Sequence, residues 1–182
     1  DGTFNVVTQG APVEDRISSG AASWADYDNN GLLALLVTRF LQNRETNHLY
    51  RNLGQGQWER ILLGNEVKDS VGGVWGDYDN DGDVDVLVLN MNDPPSLLRN
   101  DGGNKNNWVK LKLIGTKCNR TAVGARARVV TGSHSQIDEV HTGTSVMSQS
   151  DLRLHFGLGQ NKKIDLIEVK WPTTQQIEKF TD

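Results

Sequence analysis

Trp75-Gly76-Asp77-Tyr78-Asp79-Asn80-Asp81-Gly82-Asp83-Val84-Asp85-Val86-Leu87-Val88-Leu89-Asn90 decides how the rest of the chain is read. Aspartates alternate along it at 77, 79, 81, 83 and 85, with Gly82 among them and an apolar run from Val84 to Leu89 directly behind. Carboxylates this close repel one another unless a cation sits among them. Calcium is the natural candidate: a hard ion that takes oxygen ligands, most of which a short acidic loop can supply. Asp77, Asp79 and Asp81 stand at positions 1, 3 and 5 of the first half of an EF-hand loop, Gly82 at 6, and Asp83 at 7, where the ligand is a backbone carbonyl. The EF-hand reading then fails. Position 12 is Val88 rather than a bidentate Glu, and the exit is a β-branched strand rather than a helix. Asp85, at position 9, closes the site instead, giving a calcium loop between two strands. The plain alternative is an acidic hairpin turn without an ion.

The device occurs twice. Ser23-Trp24-Ala25-Asp26-Tyr27-Asp28-Asn29-Asn30-Gly31 lines up with Val74-Trp75-Gly76-Asp77-Tyr78-Asp79-Asn80-Asp81-Gly82. Leu49-Tyr50-Arg51-Asn52 lines up with Leu97-Leu98-Arg99-Asn100, and Asp1-Gly2-Thr3-Phe4 with Gln55-Gly56-Gln57-Trp58. Each unit reads as about four strands: a small-residue strand into the loop, an apolar strand out (Leu32–Val37; Val84–Leu89), a third around Leu49–Arg51 or Leu97–Arg99, then a Gly turn and a fourth like Trp58–Leu62. A repeated four-stranded antiparallel unit is the signature of a β-propeller blade. In the first copy Asp26, Asp28 and Asn30 hold positions 1, 3 and 5, but Ala34 stands where the second has Asp85. With two formal charges at ligand positions against four, the first loop is expected to be a weak or empty site and the second an occupied one.

Asn100–Asn107 is polar and turn-rich, and marks the expected domain boundary. Two units, about 1–54 and 55–104, precede it. Residues 105–182 read as a β domain with strands at Trp108–Ile114, Val123–Val130, Gln136–His141, Leu152–Phe156, Ile164–Trp171 and Gln176–Phe180, which indicates a small sandwich or barrel. The fold class is therefore all-β, two propeller-type blades followed by a small β domain.

Composition narrows the function classes. The 182 residues carry a net charge of −4, with eight Lys/Arg against sixteen Asp/Glu up to residue 107 and eleven against seven beyond it. The mildly basic second part has no run of like charge, so no nucleic-acid footprint is expected. No stretch is long and apolar enough to span a bilayer as a helix. The single cysteine, Cys118, excludes an intramolecular disulfide. There is neither an initiating Met nor a signal peptide, so a fragment or processed product is expected. No zinc spacing joins His48, His134, His141 and His155, and no nucleophile elbow surrounds Ser145, Ser148 or Ser150. Trp24 and Trp75 are expected in the core, and His155 in packing. Asn119-Arg120-Thr121 is a glycosylation sequon in sequence alone.

The loop Trp75–Asp83 resembles the FG-GAP/VCBS repeat of integrin-type β-propellers. That resemblance implies side-chain calcium ligands at Asp77, Asp79, Asp81 and Asp85 and a backbone ligand at Asp83. The C-terminal part resembles the ASPIC/UnbV domain, through Asn119-Arg120 with Val123-Gly124-Ala125-Arg126, Gly143–Ser150, His155-Phe156-Gly157-Leu158-Gly159 and Val169-Lys170-Trp171-Pro172. Thr173-Thr174 departs from the family's usual Ser-Gly after that last piece. Repeats followed by this domain are the layout of the cartilage acidic protein family and its bacterial relatives. The resemblance implies an extracellular, cell-surface or periplasmic, non-enzymatic interaction module with calcium as its cofactor and a protein or glycan partner. A sugar-binding propeller fragment is the alternative, and an accessory part of an enzyme the third reading. Such propellers have about seven blades. Two alone leave faces open, so either further blades exist or copies of the chain assemble into a homo-oligomer that covers them. Calorimetric titration is expected to find one tight calcium site; two equally tight sites would contradict the reading of the first loop.

Overall fold

Two acidic loops of equal length set the register of the sheets that carry them. The computed structural model describes residues 2–40, 46–65, 67–102, 105–146 and 148–181. Asp1, the Gly103-Asn104 part of the boundary stretch and Met147 of Gly143–Ser150 lie outside the described residues. β1 (Ser19–Ala25) enters the first loop and β2 (Ala34–Arg39) leaves it, pairing Ala25 with Ala34 and Ser23 with Leu36. β3 (Asn47–Gly54) and β4 (Gln57–Leu63) complete an antiparallel sheet in the order β1-β2-β3-β4. Gln55 and Gly56, both at positive φ, form the tight turn between the last two, a backbone matched to the twist of a hairpin.

The second sheet repeats the first three strands. β5 (Ser70–Gly76), β6 (Asp85–Asn90) and β7 (Ser96–Leu98) pair in that order, with Gly76 opposite Asp85 and Val74 opposite Leu87. No fourth strand joins them among the described residues. The next one, β8 (Asn107–Leu111), pairs instead with β11 (Leu154–Gly159). The first sheet, by contrast, includes β4 from beyond residue 54, so sheet and sequence repeat are offset by one strand. At the other end, residues 2–9 form no strand, although Gly2-Thr3-Phe4 aligns with the start of β4; Phe4 is fully exposed.

The two sheets stack face to face. Ala34, Leu36 and Leu49 of the first bury against Trp75, Val84, Val86 and Val88 of the second. Gly73 lets β5 approach closely, since a Cβ there would lie 2.6 Å from the Leu36 side chain. The Trp75 indole Nε1 donates to Ser23 Oγ across the interface at 3.0 Å. Trp24, its equivalent, is not in the core: it is 54% exposed and leans on Trp58, ring centroids 6.1 Å apart. The reason is directional. Trp75 lies on the side of its sheet that meets the preceding blade, and among the described residues no blade lies on that side of the first sheet. A single helical turn, α1 (Ala11–Glu14), which sequence reading did not find, crosses there instead. Beside it Asp15 accepts hydrogen bonds from Tyr50 Oη at 2.7 Å and from Arg60 at 3.0 Å, and Tyr50 and His48 are buried.

The second part is a small sandwich. β9 (Arg126–Thr131), β10 (His134–Glu139), β12 (Leu166–Lys170) and β13 (Ile177–Phe180) form a sheet in the order β10-β9-β12-β13. Ala127 and Val129 from it meet Leu154, Phe156, Leu158, Val109 and Leu111 from the β11-β8 pair. Because strand side chains alternate, the other face of that pair carries Trp108, Lys110, His155 and Gly157, and this face meets the acidic loops. Trp75→Ala should lower stability by about 3–5 kcal/mol and Trp24→Ala by about 1 kcal/mol. Urea denaturation of both variants measures the asymmetry.

Candidate metal centre

The two loops share one backbone. In the second, Asp77 Oδ1 accepts from the Asp81 N–H and Oδ2 from the Gly82 N–H, both at 3.1 Å, while Asp81 Oδ1 accepts from the Asp83 N–H at 2.8 Å. In the first, Asp26 takes the N–H groups of Asn30 and Gly31, at 3.0 and 2.8 Å, and Asn30 Oδ1 that of Leu32 at 2.7 Å. Asn29 and Asn80 both sit in the left-handed region, at φ 55° and 60°. Short polar side chains that bond their own backbone two to five residues on make this turn before any ion is considered.

What differs is the charge left over. One carboxylate oxygen each from Asp77, Asp79 and Asp85 lie within 4.8 Å of one another. Ligands about 2.4 Å from a calcium ion span that distance, so the donor set and its size fit the ion. Asp77 and Asp85 are buried and Asp79 is exposed, which leaves the group one open side. Asp81 and Asp83 lie outside this group of three: the Asp81 carboxylate holds the turn, and Asp83 is fully buried. Burial pushes the Asp85 carboxyl above its usual range; the N–H groups of Asn100 and Tyr78 oppose this, and the charges of Asp79 and Asp81 add to it.

The first loop is neutralised from within. Arg51 Nε donates to Asp28 Oδ2 at 2.8 Å, and Asn30 Nδ2 donates to the same oxygen at 3.2 Å. Ala34, at the place of Asp85, is in the core between the blades. Arg99, which aligns with Arg51, turns away to Asp101 at 2.7 Å. An arginine thus occupies the acid that an ion would need in one copy and is absent from it in the other. Burial raises the Asp26 carboxyl to about 6; the Gly31 N–H opposes this and the charge of Asp28 adds to it.

Sequence reading missed the residues that come from the second part of the chain. Lys110 Nζ pairs with Asp77 Oδ2, and its side chain is nearly as buried as its partner's. Burial alone would raise the Asp77 carboxyl, but Lys110 holds it below the usual range. Arg153 donates to the Asp77 carbonyl at 3.3 Å and to Asn80 Oδ1 at 2.7 Å. The Trp108 indole covers Gly82, whose φ is +96°; a Cβ there would lie 2.1 Å from the ring. His155 stacks on Trp108 with centroids 5.8 Å apart, and its Nε2 donates to Asn29 Oδ1 at 2.5 Å. Asn29 Nδ2 in turn donates to the Gly82 carbonyl at 3.1 Å, so one buried asparagine ties both loops to the sandwich. That the β8 face carrying Lys110 is covered by the loops is decided by tertiary packing and not by the spacing of residues in the strand.

Asn119 also has a structural task. Its amide exchanges two hydrogen bonds with the Val123 backbone, at 2.8 and 2.9 Å, and accepts from Thr121 Oγ1 at 3.0 Å.

Residues 26–88 match the family model of the FG-GAP-like repeat, and residues 115–182 that of ASPIC and UnbV. Cartilage acidic protein 1 of Homo sapiens is 27% identical over 169 residues, 85% of this chain and 25% of its own length. Its Mus musculus counterpart is 27% identical over 169 residues, 85% and 26% of the two chains. That of Xenopus tropicalis is 33% identical over 107 residues, 56% and 16% of the two chains. The chain thus spans about a quarter of the length of the first two curated relatives it matches.

Gly82→Ala should cost about 3 kcal/mol or more, through backbone strain and the clash with Trp108, whereas Gly56→Ala, at positive φ in open space, should cost about 1 kcal/mol. Urea midpoints of the two separate strain from clash. Burial, joined by the charge of Lys110, lowers the His155 imidazole to about 4. The folded pKa lies below the unfolded value, so this stability is complete above about pH 6.5 and is lost as pH falls through the folded value, by about 1–3 kcal/mol. His155→Gln should flatten that part of the profile in denaturation between pH 7 and 4.

Proposed function

We propose, on the premise that this chain joins an FG-GAP-like repeat segment to an ASPIC and UnbV domain, that it is a calcium-stabilised, non-enzymatic interaction module of an extracellular or surface protein. Blades over 1–104 and a sandwich over 105–182 form the two parts. The observation that carries the reading is the convergence of Asp77, Asp79 and Asp85 within 4.8 Å, two of them buried. Asp81 would complete the acidic shell and Asp83 would offer its backbone carbonyl. Asp26, Asp28 and Asn30 would hold an ion weakly or not at all, since Arg51 already answers Asp28. A bound ion would relieve the repulsion among these groups and staple β5 to β6, with binding energy that adds directly to folding. Extracellular calcium at millimolar level suits a site of modest affinity. The relatives' name, cartilage acidic protein, supports an extracellular setting.

A second reading keeps the glycan partner. A cavity of about 820 Å³ lies between the blades and the sandwich, lined among others by Trp24, Trp58, Gln136, Asp138, His141 and Arg153. Partly exposed indoles beside planar polar groups can take a sugar ring, and the volume is that of a small-ligand site. A glycan array without hits on this chain would remove that reading. Assembly of copies is a separate matter. Gly10–Arg16 crosses the outer side of the first blade, yet Trp24 there and Leu97 on the second blade are both about half exposed, so either side offers apolar surface to a covering partner. Light scattering gives the assembly state.

Chelation with EDTA should lower the melting temperature of the full chain, and millimolar calcium should restore it. Asp85→Ala, which makes the second loop like the first, should abolish the calcium-dependent rise. An unchanged melting temperature on chelation would refute the staple.

A further inference from the structure

Among the described residues, Lys110 is a charged group outside the cation loop that pairs directly with one of its converging carboxylates. Its neighbours in β8, Val109 and Leu111, point into the sandwich core, so Lys110 is directed at the blades. Its Nζ lies over the Trp108 ring that covers Gly82, 5.7 Å from the ring centroid. The ammonium ends on Asp77 Oδ2, and the side chains of the pair are only 11% and 1% exposed. Asp77 is one of the three carboxylates that converge, and it also fixes the loop backbone through the Asp81 and Gly82 N–H groups. A single carboxylate therefore serves the turn, the sandwich and the converging acidic group.

We infer that Lys110 sets the cation affinity of the Asp77–Asp85 loop by sharing the Asp77 carboxylate with the ion, which couples ion binding to the seating of the sandwich on the blades. This rests on the calcium reading of the loop proposed above. A divalent ion held by Asp77, Asp79 and Asp85 sits within a few ångströms of a fixed, largely buried positive charge, and the two repel. The ion in turn draws charge from Asp77 and loosens the ammonium's hold on it. The first loop shows the limit of the same device. There Arg51 holds Asp28 from within the blade, and position 9, where the second loop has the Asp85 carboxylate, is Ala34. In the second loop the fixed cation comes from the other domain, so its hold depends on how that domain is seated.

The test compares the wild-type 182-residue chain with Lys110→Met, which keeps the length and apolar stem, and Lys110→Arg, which keeps the charge. Terbium luminescence and calcium calorimetry should show at least ~10-fold tighter binding for Lys110→Met, from removing one nearby positive charge, and little change for Lys110→Arg. Melting should cross over. Lys110→Met should melt below wild type in EDTA, where buried Asp77 has lost its partner, and the gap should close or reverse in millimolar calcium. Affinity that is unchanged or weaker in Lys110→Met, with the same melting deficit in both conditions, would make Lys110 an ordinary structural ion pair and overturn the inference. A wild-type chain that binds neither ion overturns the calcium reading itself and the inference with it. Should Lys110→Met not fold, reductive methylation of wild type read by mass spectrometry decides. Lys110 should be protected in EDTA and more reactive in calcium, and equal protection in both refutes the coupling.

Discussion

Crowded like charge is the constraint on which the arrangement depends. Asp77, Asp79 and Asp85 converge within 4.8 Å beside Asp81, at the end of a sheet whose core is apolar. Each carboxylate brought into low dielectric raises the cost of the next. Backbone N–H groups answer part of this: Asp77 takes two and Asp85 takes two. The remainder has to be met by positive charge, and the protein shows two ways of supplying it. Arg51 does so inside the first blade, and Lys110 does so from across the domain boundary in the second.

That constraint also explains how the sandwich sits. Its two-stranded β11-β8 sheet faces the sandwich core with Val109, Leu111, Leu154 and Phe156, and faces the loops with Trp108, Lys110, His155 and Gly157. Part of the second face meets the loops closely, beside the cavity that opens between the blades and the sandwich. Gly82 lies under the Trp108 ring, and Gly157 lies against Asp26 and the Asn29 backbone, where a Cβ would come within 2.5 Å. Glycines in both partners allow backbone and ring to meet directly. Asn29 completes the join with its bonds to His155 and to the Gly82 carbonyl. Loop conformation, loop charge and domain seating are therefore one packed unit rather than three features.

The blades show how far a repeat carries its own packing rule. Trp75 is buried because its side of the second sheet lies on the first, whereas Trp24, on the same side of the first sheet, meets no second blade among the described residues and leans on Trp58 with about half its surface exposed. Closely similar local sequence thus gives a core residue in one unit and a surface residue in the other. Burial is a property of the neighbour, not of the motif.

Much of the architecture was legible in the chain. Short β-rich runs between turn signals placed the six later strands to within a few residues, and duplication of the acidic stretch gave the two blade sheets and their loops. Local sequence also determined the loop backbone, because the turns at Asp26–Leu32 and Asp77–Asp83 are closed by side chains bonding N–H groups two to five residues away. Three things were decided only by tertiary structure. β4 and β8 took partners outside the repeat pattern, because strand pairing is a choice between long-range neighbours that propensity does not encode. The turn α1 and the exposed side of Trp24 depended on what covers the first sheet. Lys110 reached Asp77 across 33 positions, Arg153 reached Asn80 across 73 and His155 reached Asn29 across 126, because alternation gives the face on which a side chain lies but not what that face will meet.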